Sequence, residues 1–262
     1  MLNDFDLIRH TFPKPITIYP IADVHLGAIE HAENEWQSFL KKVESEDSYL
    51  ILAGDLINNN IRSARFANPF NEVLRPREAK ARMVEYLKPV KDKILCVVTG
   101  NHEARTLRDS DQDLTYDICS KLDIEHLYRE SIAYMGVGVG GRPNGKPAVT
   151  YTFAVTHGTG GGIYTGAAVN RNERFGNVVD GLDCLVVGHV HKGFISKPAK
   201  IEINIRTNCV SMKHYVVISC VPWLNYGGYA AKAMLLPAQT CDPQKITLTV
   251  DRGRTKKIVT TW

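Results

Sequence analysis

Five apolar segments of the 262-residue chain are each followed directly by side chains that can bind a metal ion. Asp23 and His25 follow residues 16–21, Asp55 follows 49–53, Asn101 and His102 follow 93–98, His157 follows 151–156, and His189 and His191 follow 184–187. A single Asp or His at the end of a strand is most often a turn residue. Five such positions in one chain favour a shared site instead.

The side chains at these positions have the chemistry of a divalent metal site. Carboxylate, amide and imidazole groups bind ions such as Mn, Fe, Zn or Ni. Two aspartates, one asparagine and four histidines, before His102 is counted, are too many for one ion and suit two ions that share a bridging carboxylate. Two-metal sites hold their ions about 3.5–4 Å apart and serve in-line displacement at phosphorus, with a metal-activated water as the nucleophile. The residues therefore predict phosphoester hydrolysis.

The spacing within two of the segments also favours a shared centre. The chain contains Asp23-x-His25 and His189-x-His191. In an extended segment, residues i and i+2 point the same way, so both side chains of each pair would reach one centre.

Helical patterns alternate with the apolar segments. Apolar residues at spacings of three and four predict helices at 36–43, 76–87 and 114–122, and a less regular pattern covers 166–179. Pro76 suits the first turn of its helix, where a missing N–H costs nothing. The third helix is expected to be capped by Asp109, Ser110 or Asp111.

This alternation predicts an α/β fold whose first half forms a largely parallel sheet. Ligands of open α/β sheets bind beyond the carboxyl ends of the strands, so the predicted metal ligands should converge on one edge of that sheet. After residue 190 the chain has strand-like segments at 201–205, 214–219 and 245–250, which predict a second sheet packed on the first. Residues 229–236 are ambiguous.

Composition limits the remaining possibilities. The 44% hydrophobic content suits one domain over residues 1–262. Six scattered cysteines without a CxxC pair, no apolar run of membrane-spanning length and no signal-peptide pattern predict a cytoplasmic protein without a membrane partner. The net charge of +4 permits a nucleic-acid partner but does not require one. The oligomeric state stays open.

The ordered set D-x-H, G-D-x-x-N, G-N-H-E, H and G-H-x-H resembles the motifs of the calcineurin-like metallophosphoesterase superfamily over residues of about 16–195. The resemblance implies two β-sheets packed face to face and flanked by helices, the αββα arrangement of that family. "ADVHLG" at 22–27 is similar to the opening motif of the double-strand-break repair nucleases of the superfamily and to that of other family phosphodiesterases.

The resemblance also implies a role for each motif residue. Asp23, His25 and His191 would hold the first metal, Asp55 would bridge, and Asn101, His157 and His189 would hold the second. His102 would lie over the phosphate and protonate the leaving oxygen or stabilise the transition state. Asn58 would support the ligands from behind. Glu103, where many family nucleases have Asp, would orient His102 by a hydrogen bond.

Four arginines are candidates for contact with the substrate phosphate: Arg105 and Arg108 after His102, and Arg171 and Arg174 after His157. The glycine-rich turn at 157–166 suits either a phosphate cradle or a flexible connection. Protein Ser/Thr phosphatases of the family carry Asp-Arg-Gly and Arg where this chain has "LINNN" and "VT", which disfavours that activity.

The predicted function is therefore two-metal hydrolysis of phosphoesters. A phosphodiesterase or nuclease acting on DNA or RNA, with Mn as the first expected metal, is favoured. The alternatives are a phosphomonoesterase or nucleotidase acting on a small metabolite, and a nonenzymatic scaffold that keeps the fold.

Overall fold

The computed structural model describes residues 4–63, 70, 72–141, 147–160, 164–227, 240–251 and 255–262. The strands in these ranges are β1 (Ile8–Phe12), β2 (Ile16–Ile21), β3 (Ser48–Ala53), β4 (Ile94–Val98), β5 (Tyr128–Arg129), β6 (Ile132–Val139), β7 (Val149–Thr156), β8 (Cys184–Val187), β9 (Phe194–Ser196), β10 (Ala199–Asn204), β11 (Cys209–His214), β12 (Val216–Ser219), β13 (Lys245–Val250) and β14 (Lys256–Thr261). The α-helices are α1 (Glu33–Ser45), α2 (Pro76–Leu87), α3 (Glu103–Ser110), α4 (Leu114–Lys121) and α5 (Thr165–Gly176), and short 3-10 helices cover Lys88–Lys93 and Glu125–Leu127. The ambiguous segment 229–236 lies outside the described residues.

The first sheet has the strand order β14-β13-β2-β3-β4-β5. Its strands β2 to β5 are parallel, and β13 and β14 extend it by antiparallel pairing. Every residue of β4 is buried, as expected for a parallel strand covered on both faces. The predicted parallel sheet in the first half is confirmed for these strands.

The second sheet has the strand order β1-β6-β7-β8-β12-β9. Strands β7, β8 and β12 are parallel to one another. The five segments that carry the predicted ligands are therefore divided between the sheets, with β2, β3 and β4 in the first and β7 and β8 in the second. The expectation of a single sheet edge is wrong, because strand pairing over long sequence distances is not visible in local patterns.

The expected assignment of the later strands to the second sheet is also wrong in part. Strands β13 and β14 join the first sheet, while β1 and β6, from the first half of the chain, belong to the second. Gly136 and Gly138 interrupt β6, and the edge strand β1 contains three consecutive polar residues, Arg9, His10 and Thr11, instead of an alternating pattern. Both features weaken a strand signal in the sequence.

The two sheets pack face to face around one apolar core. Buried side chains of the first sheet, such as Ile18 and Leu50, belong to the same cluster as Met135 and Val186 of the second. Helices flank the sheets, so the predicted two-sheet α/β fold is confirmed.

The predicted helices are confirmed at α1, α2, α4 and α5. The apolar residues of helix α1 that set its pattern (Trp36, Phe39, Leu40 and Val43) are all buried, and Pro76 opens α2. The expected cap of α4 is wrong: Asp113 is the N-cap and accepts a hydrogen bond from the Tyr116 N–H. Asp109 and Ser110 end the unpredicted helix α3, which Asp111 closes in a left-handed conformation.

Strands β10 and β11 form a separate two-stranded ribbon between β9 and β12. The strand predicted at 201–205 is thus present, but in the described part of the chain it joins neither large sheet. Among the described residues, none of the helices has the length and apolar character needed to cross a membrane.

Candidate metal centre

The predicted ligands meet where the carboxyl ends of strands from both sheets face each other. Three overlapping groups bring their ligand atoms within 4.8 Å of one another: Asp23 with His25 and His191; His25 with Asp55 and His102; and Asp55 with His157 and His189. Each group combines carboxylate and imidazole, the donor set that first-row divalent metals prefer.

Strained backbone positions aim these side chains. Asp23, His25, Asp55, His189 and His191 all have positive φ angles, between 49° and 71°. A residue other than glycine held in this left-handed region costs about 1–3 kcal/mol, and such strain clusters at functional sites. The expectation that each i, i+2 pair is extended is therefore wrong, and left-handed turns bring the pairs to a common centre.

The first group surrounds a point shared by Asp23, His25 and His191. The His25 and His191 Nε2 atoms lie 3.0 Å apart, and His191 Nε2 lies 3.4 Å from Asp23 Oδ1. Burial holds the pKa of His25 well below its usual value, which favours the neutral imidazole that binds metals. Burial would also lower the pKa of His191, but the Asp23 carboxylate outweighs it and raises that pKa.

Asn101 adds an amide oxygen to the group of Asp55, His157 and His189. Asn101 Oδ1 lies 2.9 Å from His157 Nε2 and 2.6 Å from His189 Nδ1. His157 Nδ1 donates to the Ala53 carbonyl at 2.8 Å, so its Nε2 faces the group. Burial opposes a charge on His157, yet the Asp55 carboxylate raises its pKa to about 10. The Asp55 carboxylate therefore favours a positive charge at His157.

Asp55 lies between the Asp23–His25–His191 group and the side chains of Asn101, His157 and His189. Its Oδ2 is 3.7 Å from His25 Nε2 and 3.2 Å from His157 Nε2. Burial alone would raise the pKa of Asp55, but the His157 and His102 imidazoles outweigh it and hold that pKa well below its usual value. A carboxylate in this place has the geometry of a bridging ligand.

His102 borders both Asp55 and His25. Its backbone N–H donates to Asp55 Oδ1 at 2.8 Å, and its Nδ1 donates to the Asn58 carbonyl at 2.5 Å. The ring therefore presents Nε2, which lies 3.8 Å from Asp55 Oδ2 and accepts from Arg105 at 2.9 Å. Burial lowers the pKa of His102, and the Arg105 guanidinium acts in the same direction.

The expected hydrogen bond from Glu103 to His102 is not formed. The Glu103 carboxylate is buried and accepts from the backbone N–H groups of Asp55 at 3.1 Å, Ile57 at 2.9 Å and Gly100 at 3.1 Å. As the first residue of α3, Glu103 points back between the ends of β3 and β4, away from the His102 ring. Burial, with the Asp55 charge adding to it, raises the pKa of Glu103 to about 7. Its structural role is to tie two ligand loops together.

Asn58 and Asn59 support His102 from behind. The Asn58 side chain donates to Glu72 at 2.6 Å, and its carbonyl holds the His102 ring. Asn59, which the sequence did not single out, donates to the His102 carbonyl at 2.7 Å and to Thr106 at 2.8 Å. In the sequence, the polar run "LINNN" at 56–60 was the only indication that Asn59 has a role.

Gly54 and Gly100, which the motifs place beside Asp55 and Asn101, allow the close approach of the two loops that carry these residues. A Cβ on Gly100 would lie 2.1 Å from the Asp55 backbone nitrogen, and one on Gly54 would lie 2.7 Å from Gly100. Gly54 also has a φ of 85°. Their position beside Asp55 and Asn101 in the motifs was the available signal.

The four predicted phosphate-binding arginines differ in position. Arg105 lies beside His102 and also contacts the Asn58 carbonyl at 3.3 Å. Arg108 is exposed and bonds to Ala104 of its own helix. Arg171 donates to the Thr159 carbonyl at 3.0 Å and packs on Gly160, and Arg174 is exposed in the last turn of α5. Among the described residues, the structure thus brings Arg105 alone of the four to the cluster. Residues 161–163 of the glycine-rich turn lie outside the described part.

Known proteins resemble this chain over the segment that carries the candidate ligands. The family model described as calcineurin-like phosphoesterase matches residues 16–193. The DNA polymerase II small subunit of Thermoplasma acidophilum is 26% identical over 145 residues, a match that covers 53% of this chain and 28% of that protein. The crystal structure of Vps29 from Chaetomium thermophilum is similar at 10% identity with a TM-score of 0.40, covering 94% of each chain.

Proposed function

The chain belongs to the calcineurin-like phosphoesterase family, and we propose that it is a two-metal phosphodiesterase that acts on nucleic acid. The family and the Asp/His cluster support metal-dependent hydrolysis of phosphoesters. The observation that carries the proposal is Asp55, whose carboxylate belongs to two of the three ligand groups. A shared carboxylate is what a pair of ions needs.

The donor set fits two divalent ions. Asp23, His25 and His191 would hold one, Asn101, His157 and His189 the other, and Asp55 both. When bound, the ions supply Lewis acidity and a water of lowered pKa. Manganese is the first metal to test, with Fe, Zn and Ni as alternatives, because carboxylate and amide oxygens are mixed with imidazoles.

His102 and Arg105 are the groups that we assign to the phosphate. His102 is fixed by the Asn58 carbonyl and presents Nε2, the atom that would carry a proton to the leaving oxygen. In the resting structure the Arg105 guanidinium donates to that atom, which keeps it unprotonated. An arriving phosphate would attract Arg105 and release Nε2 for protonation. Glu103 would act through the backbone positions of Asp55 and Gly100.

The preference for a diester in nucleic acid has two supports. The relative from Thermoplasma acidophilum is by its name a subunit of a DNA polymerase. The net charge of +4 suits an anionic polymer. Arg108, Arg171 and Arg174 would contact phosphates away from the scissile bond.

The test compares hydrolysis of bis-p-nitrophenyl phosphate, p-nitrophenyl phosphate, single-stranded DNA and single-stranded RNA by protein loaded with Mn, Fe, Zn or Ni. We expect diesters to be cleaved faster than the monoester, with Asp55→Asn inactive and the exposed control Asp92→Asn unchanged. A faster monoester would favour a phosphomonoesterase or nucleotidase. Tight metal binding without hydrolysis of any ester would refute the proposal in favour of a nonenzymatic scaffold.

A further inference from the structure

The ribbon of β10 and β11 has one face made of aliphatic side chains. Ile201 pairs directly with Met212, and Ile203 with Val210, so these four side chains share a face. They are 69–73% exposed, and Ile205 in the adjoining turn is 89% exposed. Contiguous apolar surface of this kind marks an interaction site more often than an isolated exposed residue does.

The opposite face of the ribbon is polar, and Lys200 on that face reaches the body of the protein. Lys200, on the opposite face, donates to the carbonyls of Asn177 at 3.2 Å and Val179 at 2.9 Å, and its ammonium lies 5.5 Å from the centre of the Tyr215 ring. A two-sided antiparallel element normally buries its apolar face and exposes its polar one. Here Lys200 ties the polar face to the body of the protein, and the apolar face is exposed.

The charge around this face identifies the chemistry of an occupant. Two exposed cations, Lys197 and Arg206, flank the ribbon just before β10 and in the turn after it, whereas Lys200, Lys213 and Glu202 lie on the opposite face. A second copy of the ribbon would bring like charges together, which disfavours self-association. A partner with acidic side chains beside its apolar ones would complement the rim.

The backbone favours a protein strand over a lipid surface. In the described part of the chain, β10 and β11 pair only with each other, so each has an open edge of N–H and C=O groups. An added strand satisfies such an edge, whereas a lipid environment leaves it unsatisfied. Residues 199–214 also contain no Phe, Trp or Tyr, the residues typical of membrane interfaces.

We propose that the β10–β11 ribbon docks an extended segment of another protein, in which aliphatic residues alternate with Asp or Glu. The partner strand would extend the ribbon along an open edge. Its aliphatic residues would continue the face of Ile201 and Ile203, and its carboxylates would pair with Lys197 and Arg206. This inference does not depend on the proposed function of the metal centre.

The probe for this interaction is a fluorescein-labelled peptide of about ten residues in which Ile or Val alternates with Glu. Fluorescence anisotropy with the full chain should give a Kd of about 10–100 µM, weakened several-fold by about 0.5 M salt. The variant Ile201→Thr/Ile203→Thr/Val210→Thr should bind at least about tenfold more weakly, while keeping the β-branched residues that the strands favour. Val259→Thr on β14 is the matched control and should bind like the original protein.

A charge exchange makes the test specific. A peptide with Lys in place of Glu should bind the original chain at least about tenfold more weakly, and Lys197→Glu/Arg206→Glu should reverse this preference. Equal binding of both peptides, or no binding at about 1 mM peptide, would overturn the proposal. So would a dimer seen by light scattering, or binding to anionic phosphatidylserine vesicles, that the triple threonine variant abolishes, because the occupant would then be a second copy or a lipid.

Discussion

The two sheets contribute differently to the candidate metal centre. Loops of the first sheet supply both carboxylates and the amide, and Asp23, His25 and Asp55 are at most 3% exposed. Loops of the second sheet supply three imidazoles, and the His191 side chain is 25% exposed. Both carboxylates are therefore buried in the first half of the centre, while imidazoles complete it from the second sheet, where His191 is partly open to solvent.

The two halves are also held differently. In the first half, the Glu103 carboxylate joins the β3 and β4 loops through three backbone N–H groups. In the second half, the His189 backbone N–H donates to both oxygens of Asp23, at 3.1 and 2.9 Å. The loop of the second sheet thus rests on a carboxylate of the first, so damage to the first half should reach the whole centre.

The largest expected effect tests this asymmetry at the shared ligand. Asp55→Ala should lower hydrolysis of bis-p-nitrophenyl phosphate by at least about 1,000-fold and weaken both ions, because it removes the bridge. His191→Ala should weaken one ion only. Metal analysis by mass spectrometry, alongside the rates, distinguishes the two. Two tightly held ions in Asp55→Ala would refute the asymmetry.

The next effect concerns the joint between the ligand loops. Glu103→Ala leaves three buried backbone N–H groups without their acceptor and should reduce the free energy of unfolding by about 2–4 kcal/mol. Glu103→Gln keeps one acceptor oxygen and should lose less. Urea unfolding measures both, with Glu85→Ala on the exposed face of α2 as the control. If Glu103→Ala unfolds at the same urea concentration as the control, the carboxylate does not join the loops.

A smaller effect is expected from pH in the second half. In protein stripped of metal, the pKa of His157 is raised to about 10 from 6.5 in the unfolded chain. A raised histidine pKa stabilises the folded state most below pH 6.5, and this contribution is lost as pH rises toward 10. The original protein should therefore lose about 4 kcal/mol more than His157→Gln between pH 6.5 and pH 10. Parallel stability curves for the two proteins would show that His157 carries no such charge.

The smallest effect separates two arginines one turn apart on α3. Arg105→Ala should lower kcat by about tenfold without loss of metal, because Arg105 contacts the His102 imidazole that we propose protonates the leaving oxygen. Arg108→Ala, whose guanidinium bonds within its own helix, should change kcat less than about twofold. Steady-state rates with bis-p-nitrophenyl phosphate give the comparison. Equal losses in both variants would mean that exposed charge, and not the contact with His102, determines the effect.

Much of this arrangement was readable from local sequence. Helix α1 has its four apolar residues at helical spacing, and α2 begins with a proline that fixes its start. The candidate ligands could be singled out because each follows a recognisable apolar strand, and the structure brings their side chains together.

What the sequence did not reveal depends on contacts between distant segments. The division of the five ligand strands between two sheets follows from pairing over long sequence distances. The left-handed conformations of Asp23 and His191 are imposed by their surroundings, since neither residue type requires them. The true partners of Glu103 lie 46 to 48 residues away in the chain or in the turn just before it.

The five left-handed ligand positions have a consequence for which ions the centre accepts. The left-handed backbone fixes the direction of each of these side chains, so we expect the distances between their ligand atoms to be set before an ion binds. Ca²⁺ needs six to eight oxygen ligands at longer distances than a transition metal does. This chain offers mostly nitrogen donors on a rigid frame. We therefore expect Ca²⁺ to bind more weakly than a transition metal, because of the main-chain conformation as well as the choice of side chains.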